Sequence, residues 1–324
     1  MNNPPLVSVI IPTYNRVNIV GNAIKSILDQ TYKNIEIIVV DDGSTDNTKA
    51  LIDSFPMVKY LVKQNGGQAS ARNIGLKHAK GKYIASLDSD DLWEATFLTK
   101  MVEALEEHGL DFAFANWRQQ NNNGNYSDFL SEYIYLSSHF PKKKNSWVHL
   151  SYKDLRKVYL TGCPSPSSSL LINSSVIKSG WNEKMNIADD WYLLLDIVLT
   201  KEAKVAFTTE KLWKKHVVSD NVFDGRDRLE VLKLLYVKDM SAMLKEFKYF
   251  LNTDEINTLQ KKYVLDVMLT AKEVWTKEKS VKNALFYIFK AFIEHPIFSL
   301  QIILMISFGK IKSKNLKKTD VILE

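Results

Sequence analysis

The chain has 324 residues, of which 45% are hydrophobic and 25% are charged, a composition typical of a soluble globular protein with more than one region. Its only cysteine, Cys163, excludes an internal disulfide and suits a reducing cytoplasm. The net charge of +6 is uneven: residues 1–118 carry 12 Lys and Arg against 14 Asp and Glu, whereas residues 119–324 carry 31 against 23. A basic surface can bind nucleic acid, but the sequence has neither an RNP-type aromatic strand nor spaced metal-ligand cysteines, which argues against nucleic acid as the partner. The basic surplus instead favours anionic lipids or a diphosphate-bearing substrate.

Short apolar runs alternate with helical patterns through the first part of the chain. Residues 7–11 predict a strand that ends at Pro12, residues 18–29 predict an amphipathic helix, and residues 35–40 predict a second strand. A strand, a helix and a strand at this spacing form a βαβ unit, which predicts a parallel sheet. Further along, the pattern predicts a strand at 58–62, a helix opened by glycines at 65–79, a strand at 83–87, a helix near 97–105, and strands at 111–116 and 167–172.

Three carboxylates, those of Asp88, Asp90 and Asp91, directly follow the strand predicted at 83–87. Open α/β sheets bind ligands at the carboxyl ends of their strands, so chemistry is expected here. Carboxylates this close repel one another by about 4 kcal/mol per charged pair at about 4 Å and an effective dielectric constant of about 20, which predicts a compensating cation such as Mg²⁺ or Mn²⁺. The alternative is that Asp91 is the N-cap of the next helix and Glu94 completes a capping box, which leaves the other two acids unexplained.

A second acidic pair, Asp189 and Asp190, stands at the start of a helical pattern of apolar residues. Only one of the two acids can occupy the N-cap, so the other carboxylate is available for proton transfer, and the helix dipole helps to keep it ionised. The alternative is that both acids only start the helix, because acidic residues are common there. Cys163 lies between a glycine and a proline without an activating neighbour, and we interpret it as structural.

The last hundred residues differ in character from the rest. Long helical patterns at 229–251 and 255–275 predict a domain at 1–225 followed by a helical region at 226–324. The apolar stretch at 284–308 is interrupted by charged residues and a proline, which argues against a transmembrane helix.

The end of this helical region offers two interpretations. Residues 296–308 are apolar and are followed by five lysines between 310 and 318, a pattern that favours peripheral contact with an anionic membrane surface. The equal alternative is that this helix packs in the core or in a dimer interface and that the lysine-rich tail is solvated. A dimer interface would make the protein a homo-oligomer.

Five stretches of the chain form one combined pattern: SVIIPTYNR at 8–16, VDDGSTD at 40–46, ARNIG at 71–75, DSDD at 88–91, and GWNE at 180–183 leading into DDW at 189–191. Together they resemble family 2 glycosyltransferases over residues 6 to about 220, in the expected order and spacing. The resemblance implies the GT-A fold, an α/β nucleotide-sugar-binding architecture with a mixed, mainly parallel sheet flanked by helices, followed here by a C-terminal helical extension. It also implies sugar transfer with inversion and a divalent metal, Mg²⁺ or Mn²⁺.

The resemblance assigns roles to individual residues in a catalytic pair, a metal site and a donor site. Asp190 corresponds to the catalytic base and Asp189 supports it, although the family usually has Glu-Asp at this position. His216 falls where some relatives carry a histidine near the diphosphate and is a candidate metal-site residue; the alternative is a structural histidine. The remaining assignments are Pro12, Thr13 and Tyr14 around the base, Asp42 at the base edge, Arg16, Gly67, Arg72 and Asp88 toward the nucleotide sugar, Asp90 at the ribose or metal, and Asp91 as the metal ligand.

The predicted function is therefore metal-dependent, inverting transfer of a sugar from a nucleotide-diphosphate sugar, a UDP-sugar first, to an acceptor hydroxyl. The acceptor class is a saccharide or lipid-linked saccharide in surface polysaccharide or glycolipid synthesis, which predicts a cytoplasmic protein at the inner face of the cell membrane. Two other functions stay open: a non-catalytic nucleotide-sugar-binding accessory subunit, and a metal-dependent nucleotidyltransferase that consumes a nucleoside triphosphate.

Overall fold

A computed structural model describes residues 3–120, 126–128, 136, 139–140, 147–216 and 225–307 of the chain. Two compact units are distinguished: Met1–Lys184 with Asp189–Val217, and Met185–Ala188 with Val218–Glu324. The lysines between 310 and 318, on which the membrane interpretation partly depends, lie outside the described residues.

The first unit is built on one sheet with helices packed against it. The helices are α1 (Val20–Leu28), α2 (Thr48–Ile52), α3 (Gln68–His78), α4 (Phe97–His108), α5 (Tyr152–Thr161) and α6 (Asp189–Thr200). The strands are β1 (Val7–Thr13), β2 (Ile35–Asp41), β3 (Val58–Val62), β4 (Tyr83–Ser86), β5 (Leu92–Trp93), β6 (Phe112–Gln120), β7 (Tyr126–Asp128), β8 (Trp147–Leu150), β9 (Leu170–Asn173) and β10 (Val205–Lys215).

The strands of this sheet follow the order β3-β2-β1-β4-β9-β6-β10-β5, with β7 paired to β6 and β8 paired to β10. The first four strands in this order are parallel neighbours, and β6 and β10 are also parallel. Strand β9 lies antiparallel between β4 and β6. This mixed, mainly parallel sheet confirms the predicted fold class, and it brings the carboxyl ends of β1, β2 and β4 to one edge.

The central strands are apolar because they lie in the middle of the core. Every residue of β1 and the last five residues of β2 are buried, which is why these strands read as continuous apolar runs rather than alternating ones. Helix α1 buries Val20, Ala23, Ile24 and Ile27, whose spacing places them on one face. Burial of an aliphatic side chain contributes about 1.5–3 kcal/mol, so these contacts fix the framework that carries the site.

Two predictions about local structure are wrong. Helix α4 begins at Phe97 with Thr96 as its N-cap, so Asp91 does not cap it. The residues after Asp91 instead form β5, which pairs with β10, and this tertiary pairing overrides the local capping pattern.

The second error concerns the strand predicted at 167–172. Ser167–Ser169 form a 3₁₀ turn, and the strand begins only at Leu170. The serine hydroxyls bond to side chains and to a nearby carbonyl, which offers the backbone an alternative to the sheet ladder.

The second unit is helical in the part that the structure describes. The long helix Thr253–Glu273 begins with a capping box formed by Asn252 and Glu255, and it buries Tyr263, Val264 and Leu265. The helices of the second unit are α7 (Arg228–Val231), α8 (Met240–Phe247), α9 (Thr253–Glu273), α10 (Val281–Glu294) and α11 (Pro296–Ser307). A π-helical segment (Leu232–Asp239) joins α7 to α8.

Helices α10 and α11 expose large apolar side chains. Among the described helices, none has both the length and the hydropathy that crossing a bilayer requires. The exposed apolar residues are Val281, Leu285, Phe286, Phe289 and Ile293 on α10, and Ile297, Leu300 and Leu304 on α11.

Candidate active site

The turn between β4 and β5 gathers three carboxylates. One oxygen from each of Asp88, Asp90 and Asp91 lies within 4.8 Å of the others. Burial, together with the charge of Asp88, raises the pKa of Asp90 to about 6 despite the opposing charge of Arg16. Burial and the two neighbouring acids likewise raise the pKa of Asp91 well above its usual range. A cluster of three hard carboxylate donors fits Mg²⁺ or Mn²⁺.

Asp91 is held from two sides. The Ser168 hydroxyl donates to Asp91 Oδ2 at 2.6 Å, and the His216 backbone N–H donates to Asp91 Oδ1 at 3.2 Å. The His216 ring lies beside the same turn, with Nδ1 2.9 Å from the Asp90 carbonyl oxygen. The structure therefore brings His216 to the carboxylate cluster, while its predicted role as a metal ligand stays a prediction.

Asp190 lies in the first turn of α6, where three donors orient its carboxylate. Ser167 donates its backbone N–H to Oδ2 at 2.9 Å and its hydroxyl to Oδ1. The Trp181 indole N–H donates to Oδ1 at 2.9 Å. An ionised carboxylate has about four acceptor positions, so capacity for a further hydrogen remains. The side chain of Asp190 is 18% exposed, so a substrate can reach its carboxylate.

Arg72 on α3 lies between the carboxylate cluster and the acidic pair Asp189 and Asp190, and it contacts both. Its guanidinium donates to Asp88 Oδ1 at 2.6 Å, to Asp189 Oδ2 at 2.5 Å and to the Ser86 hydroxyl at 3.1 Å, and it lies 3.7 Å from Asp190 Oδ1. The residue is only 1% exposed. Burial opposes its charge, but Asp190, Asp88 and Asp189 outweigh burial and raise the pKa of Arg72 further. Arg72 is thus a fixed cation between the carboxylate cluster and the acidic pair.

Asp189 faces the protein interior rather than a substrate. It is buried, and it accepts hydrogen bonds from the Gln68 amide at 2.8 Å and from Arg72. Burial raises the pKa of Asp189 to about 7, since the nearby charge of Arg72 only partly offsets burial and Asp190 adds to it. The carboxylate therefore ties α6 to α3, while its role in supporting a catalytic base stays a prediction.

A second residue of α3, Asn73, reaches Asp190 indirectly, through Trp181. The Asn73 side chain accepts a hydrogen bond from the Trp181 backbone N–H at 2.9 Å. Its amide donates to the Trp181 backbone carbonyl at 2.8 Å and to the Glu183 carboxylate at 2.9 Å. Gly180 precedes this turn with a φ of +73°, and an added Cβ would lie 2.5 Å from Asn73 Oδ1. The turn therefore requires glycine, and it aims Trp181 at Asp190.

The end of β1 forms another wall of the site. Pro12 and Thr13 are buried, Tyr14 is 46% exposed, and Arg16 lies 3.9 Å from Asp90 Oδ2. The Thr13 hydroxyl is buried and has no hydrogen-bond partner among the described residues. A buried polar group without a partner is costly, which marks this position as one where a ligand group can bind.

Asp42 holds the glycine loop before α3. It accepts hydrogen bonds from the Lys63 ammonium at 2.5 Å, the Gly66 N–H at 2.9 Å and the Gly67 N–H at 2.7 Å. Gly67 has a φ of +89°, and no atom lies within 4 Å of the Cβ that a larger residue would add. Asp42 therefore shapes the loop, and its predicted contact with a base edge stays a prediction.

Sequence reasoning did not identify several residues of this network. Ser167, Ser168 and Gln68 bond to the acids although no sequence pattern assigned them a role. Trp181 lies in the GWNE stretch of the combined pattern, but its bond to Asp190 was not predicted. Cys163 takes no part in it: burial raises the pKa of the thiol to about 12, and Sγ donates to the Ser165 carbonyl at 3.5 Å. Such a thiol is not a nucleophile at neutral pH, in agreement with a structural role.

The fold is shared with solved structures. The structure superimposes on Staphylococcus aureus TarS 1-349 in complex with UDP-GlcNAc with a TM-score of 0.65, at 18% identity over 88% of this chain and 79% of that one. It also matches the mannosyltransferase PcManGT of Pyrobaculum calidifontis, in complex with GDP-Man and Mn²⁺, with a TM-score of 0.56 at 16% identity over 96% and 89% of the two chains. These likenesses define a GT-A-like fold.

Sequence comparison defines the family. The profile of Glycosyl transferase family 2 matches residues 8–174, just over half of the chain. The chain is 43% identical over 255 residues to the UDP-Glc:alpha-D-GlcNAc-diphosphoundecaprenol beta-1,3-glucosyltransferase WfaP of Escherichia coli, covering 76% of this chain and 93% of that protein. The chain therefore belongs to glycosyltransferase family 2. It spans only 20–24% of the length of the first three curated relatives that it matches, which are uncharacterised glycosyltransferases of Rickettsia.

Proposed function

We propose that this glycosyltransferase moves a sugar, with inversion, from a UDP-sugar to a hydroxyl of a lipid-linked saccharide in surface polysaccharide or glycolipid synthesis. The observation that carries the proposal is the position of Arg72, which bonds to Asp88 in the carboxylate cluster and to Asp189 beside Asp190. One buried cation thereby sets the distance between a group suited to hold a metal and a group suited to take a proton.

Asp190 is the proposed catalytic base. Its carboxylate takes the proton from the acceptor hydroxyl while that oxygen forms a bond to the anomeric carbon of the donor. The bond between the anomeric carbon and the diphosphate oxygen breaks, and its electron pair leaves with the nucleoside diphosphate. Ser167 and Trp181 hold the carboxylate in one orientation, so that its remaining acceptor position is fixed before the substrate arrives.

Asp88, Asp90 and Asp91 are the residues that would hold Mg²⁺ or Mn²⁺, with Ser168 and the His216 backbone fixing Asp91. When bound, such a metal stabilises the negative charge of the departing diphosphate. The protein's own contribution is to keep three carboxylates together, with Arg16 and Arg72 beside them as permanent charges. Burial, and after it the neighbouring acids, raise the pKa of Asp90 and of Asp91, and a bound cation would offset this cost of ionisation.

The donor is proposed to lie along the end of β1 and the glycine loop. The unpartnered Thr13 hydroxyl and the exposed Tyr14 ring support binding of a base there, and the N–H groups at the start of α3 beside Gly67 suit a phosphate. The names of WfaP and of the TarS complex both contain UDP-sugars, which supports UDP as the nucleotide.

A donor and acceptor screen tests this proposal. The purified chain is incubated with Mn²⁺, a GlcNAc-diphospho-lipid acceptor and, in turn, UDP-glucose, UDP-GlcNAc, UDP-galactose and GDP-mannose. We expect acceptor-dependent release of UDP and a product whose anomeric configuration, read by NMR, is opposite to that of the donor. A product with retained configuration, or transfer only from GDP-mannose, would contradict the proposal.

The same assay separates the two other functions. A nucleotidyltransferase would release pyrophosphate from a nucleoside triphosphate, whereas we expect a nucleoside diphosphate from a nucleotide sugar. An accessory subunit would bind the donor without turnover, and the presence of both acidic groups in one network argues against it.

The exposed face of α10 and α11 is proposed to bind an anionic membrane surface at the inner face of the cell membrane. Phe286, Phe289 and Ile297 are more than 60% exposed, an unusual cost for a protein in water alone. Residues 277–324 carry nine lysines against four acidic residues, which complements anionic lipid rather than another copy of the same basic surface. A peripheral site of this kind would bring the enzyme to a lipid-linked acceptor.

Co-sedimentation with vesicles tests the membrane contact. We expect the chain to sediment with phosphatidylglycerol-containing vesicles but not with phosphatidylcholine alone, and Phe286→Glu with Phe289→Glu to abolish this. Met57→Glu is the matched control, since Met57 is 74% exposed but lies on the first unit. If the double variant sediments normally, or instead converts a dimer to a monomer in light scattering, this face is not the membrane contact.

A further inference from the structure

Asp239 is a buried acid in the helical unit. It is the last residue of the π-helical segment Leu232–Asp239 and is only 1% exposed. Aspartate is a weak helix former, and a buried carboxylate is costly unless its oxygens are bonded. The contacts of the carboxylate must therefore offset both costs.

The contacts of Asp239 converge on three consecutive residues. Its Oδ2 accepts the backbone N–H groups of Asn186 at 3.0 Å, Ile187 at 2.8 Å and Ala188 at 3.1 Å. Its Oδ1 accepts the Asn186 side-chain amide at 2.6 Å and shares the Asn186 backbone N–H at 3.0 Å. These bonds explain why residues 185–188 belong to the helical unit although the chain on either side belongs to the first unit.

We propose that Asp239 is a positioning residue for the catalytic helix α6. Ala188 is joined by its peptide bond to Asp189, the first residue of α6, and Asp190 follows. Because peptide units are planar, fixing the N–H of Ala188 leaves few free dihedral angles between that point and the two acids. The three N–H groups therefore anchor the start of α6, and with it the carboxylate of Asp190.

The inference rests on the proposed role of Asp190 and has a kinetic signature. A misplacement of about 1 Å at a catalytic group can lower turnover about 100-fold. Asp190 is proposed to act on the acceptor, so a loosened α6 lowers kcat while the donor KM stays within about twofold. A role limited to the stability of the helical unit would lower the amount of folded protein and leave kcat per folded molecule unchanged.

The test compares Asp239→Asn with Asp266→Asn. Asp266 is a buried acid of the same unit, but it pairs with Lys262 on its own helix at 2.9 Å. An asparagine at 239 keeps the shape but turns an NH₂ group toward N–H donors. Hydrogen exchange is followed at 186–188 and at 192–195, the first hydrogen-bonded amides of α6, and kcat and KM are measured per folded molecule.

We expect Asp239→Asn alone to speed exchange about 10-fold at both segments and to lower kcat about 10- to 100-fold. Faster exchange confined to 186–188, equal effects in the two variants, or an unchanged kcat would overturn the inference. If the wild-type chain transfers no sugar from any donor, the proposed function fails, and exchange at 192–195 alone then decides whether Asp239 anchors α6.

Discussion

Two adjacent serines serve different acidic groups. Ser167 bonds to Asp190, and Ser168 bonds to Asp91 and accepts the Asp88 backbone N–H at 3.1 Å. Neighbouring residues in one 3₁₀ turn cannot move independently, so the turn sets the separation of the proposed base and the carboxylate cluster just as Arg72 does. The site is therefore preorganised by neutral hydroxyls as well as by charge.

Replacing Ser167 with alanine tests this preorganisation. The variant loses the hydroxyl donor to Asp190 but keeps the backbone N–H, so we expect kcat to fall about 10-fold, the effect of one lost hydrogen bond of about 1–1.5 kcal/mol. Ser169→Ala is the control, since the Ser169 hydroxyl donates to the Pro166 carbonyl at 2.7 Å and not, among the described residues, to an acid of the site. Equal turnover in the two variants would show that the hydroxyl does not orient the base.

The sequence predicted the acids of the site better than the residues that hold them. Asp88, Asp90 and Asp91 are recognisable because clustered like charges at a strand end require a cation, and Asp190 because a helix needs only one cap. Ser168 and Asp91, in contrast, are separated by 77 residues, and no local pattern links them. Hydrogen bonds between distant residues depend on the completed fold, so sequence spacing alone could not predict them.

At the scale of elements, helix α3 connects the two halves of the site. Arg72 and Asn73 are consecutive, yet Arg72 reaches the acids directly, whereas Asn73 holds the turn that carries Trp181. Most strands and helices before residue 112 were predictable because buried apolar runs and helical spacing dominate there; β5 was not. The capping pattern at Asp91 and the serine turn were not, since pairing of β5 with β10 and side-chain hydrogen bonds override local preference.

The turn at Gly180 provides a stability prediction. Gly180→Ala adds a Cβ in a left-handed backbone conformation and forces Asn73 away from three hydrogen bonds. Gly109→Ala is the control, because Gly109 has a φ of +59° but open space around its Cβ position. We expect both variants to lose about 1 kcal/mol of unfolding free energy from the backbone, and Gly180→Ala to lose about 1–3 kcal/mol more.

Urea denaturation of the two variants measures this difference. A free energy of unfolding that is equal for Gly180→Ala and Gly109→Ala would mean that the Asn73 contacts contribute nothing to the stability of the turn. A larger loss for Gly180→Ala should be accompanied by reduced turnover, since Trp181 then no longer orients Asp190.

At the scale of the whole molecule, the fold could be predicted because apolar patterning and five motif stretches agree on one architecture. The division into a domain at 1–225 and a helical region at 226–324 stays a prediction. The expected boundary at 225/226 follows from a change in helical pattern, whereas the segment at 185–188 joins the helical unit through bonds to Asp239 that no pattern announces. The placement of exposed apolar residues on α10 and α11 likewise required the structure.

Metal dependence is a property of the assembled site. Asp91→Ala removes the carboxylate that Ser168 and His216 fix, so we expect calorimetric titration to show loss of Mn²⁺-dependent UDP binding, and we expect EDTA to abolish transfer by the wild type. Glu94→Ala is the control, because Glu94 lies outside the carboxylate cluster and pairs with Lys214 at 3.3 Å. UDP binding by Asp91→Ala that still requires Mn²⁺ with wild-type affinity would contradict the assignment.

The most direct test of the account is the turnover of Asp190→Asn, measured as acceptor-dependent release of UDP beside a titration of donor binding. Asp196→Asn on the same helix is the control. We predict that Asp190→Asn binds the UDP-sugar within about threefold of the wild type but transfers its sugar about 100- to 10,000-fold more slowly, because the acceptor proton has no base. Turnover close to that of Asp196→Asn would contradict the assignment of Asp190 as the catalytic base.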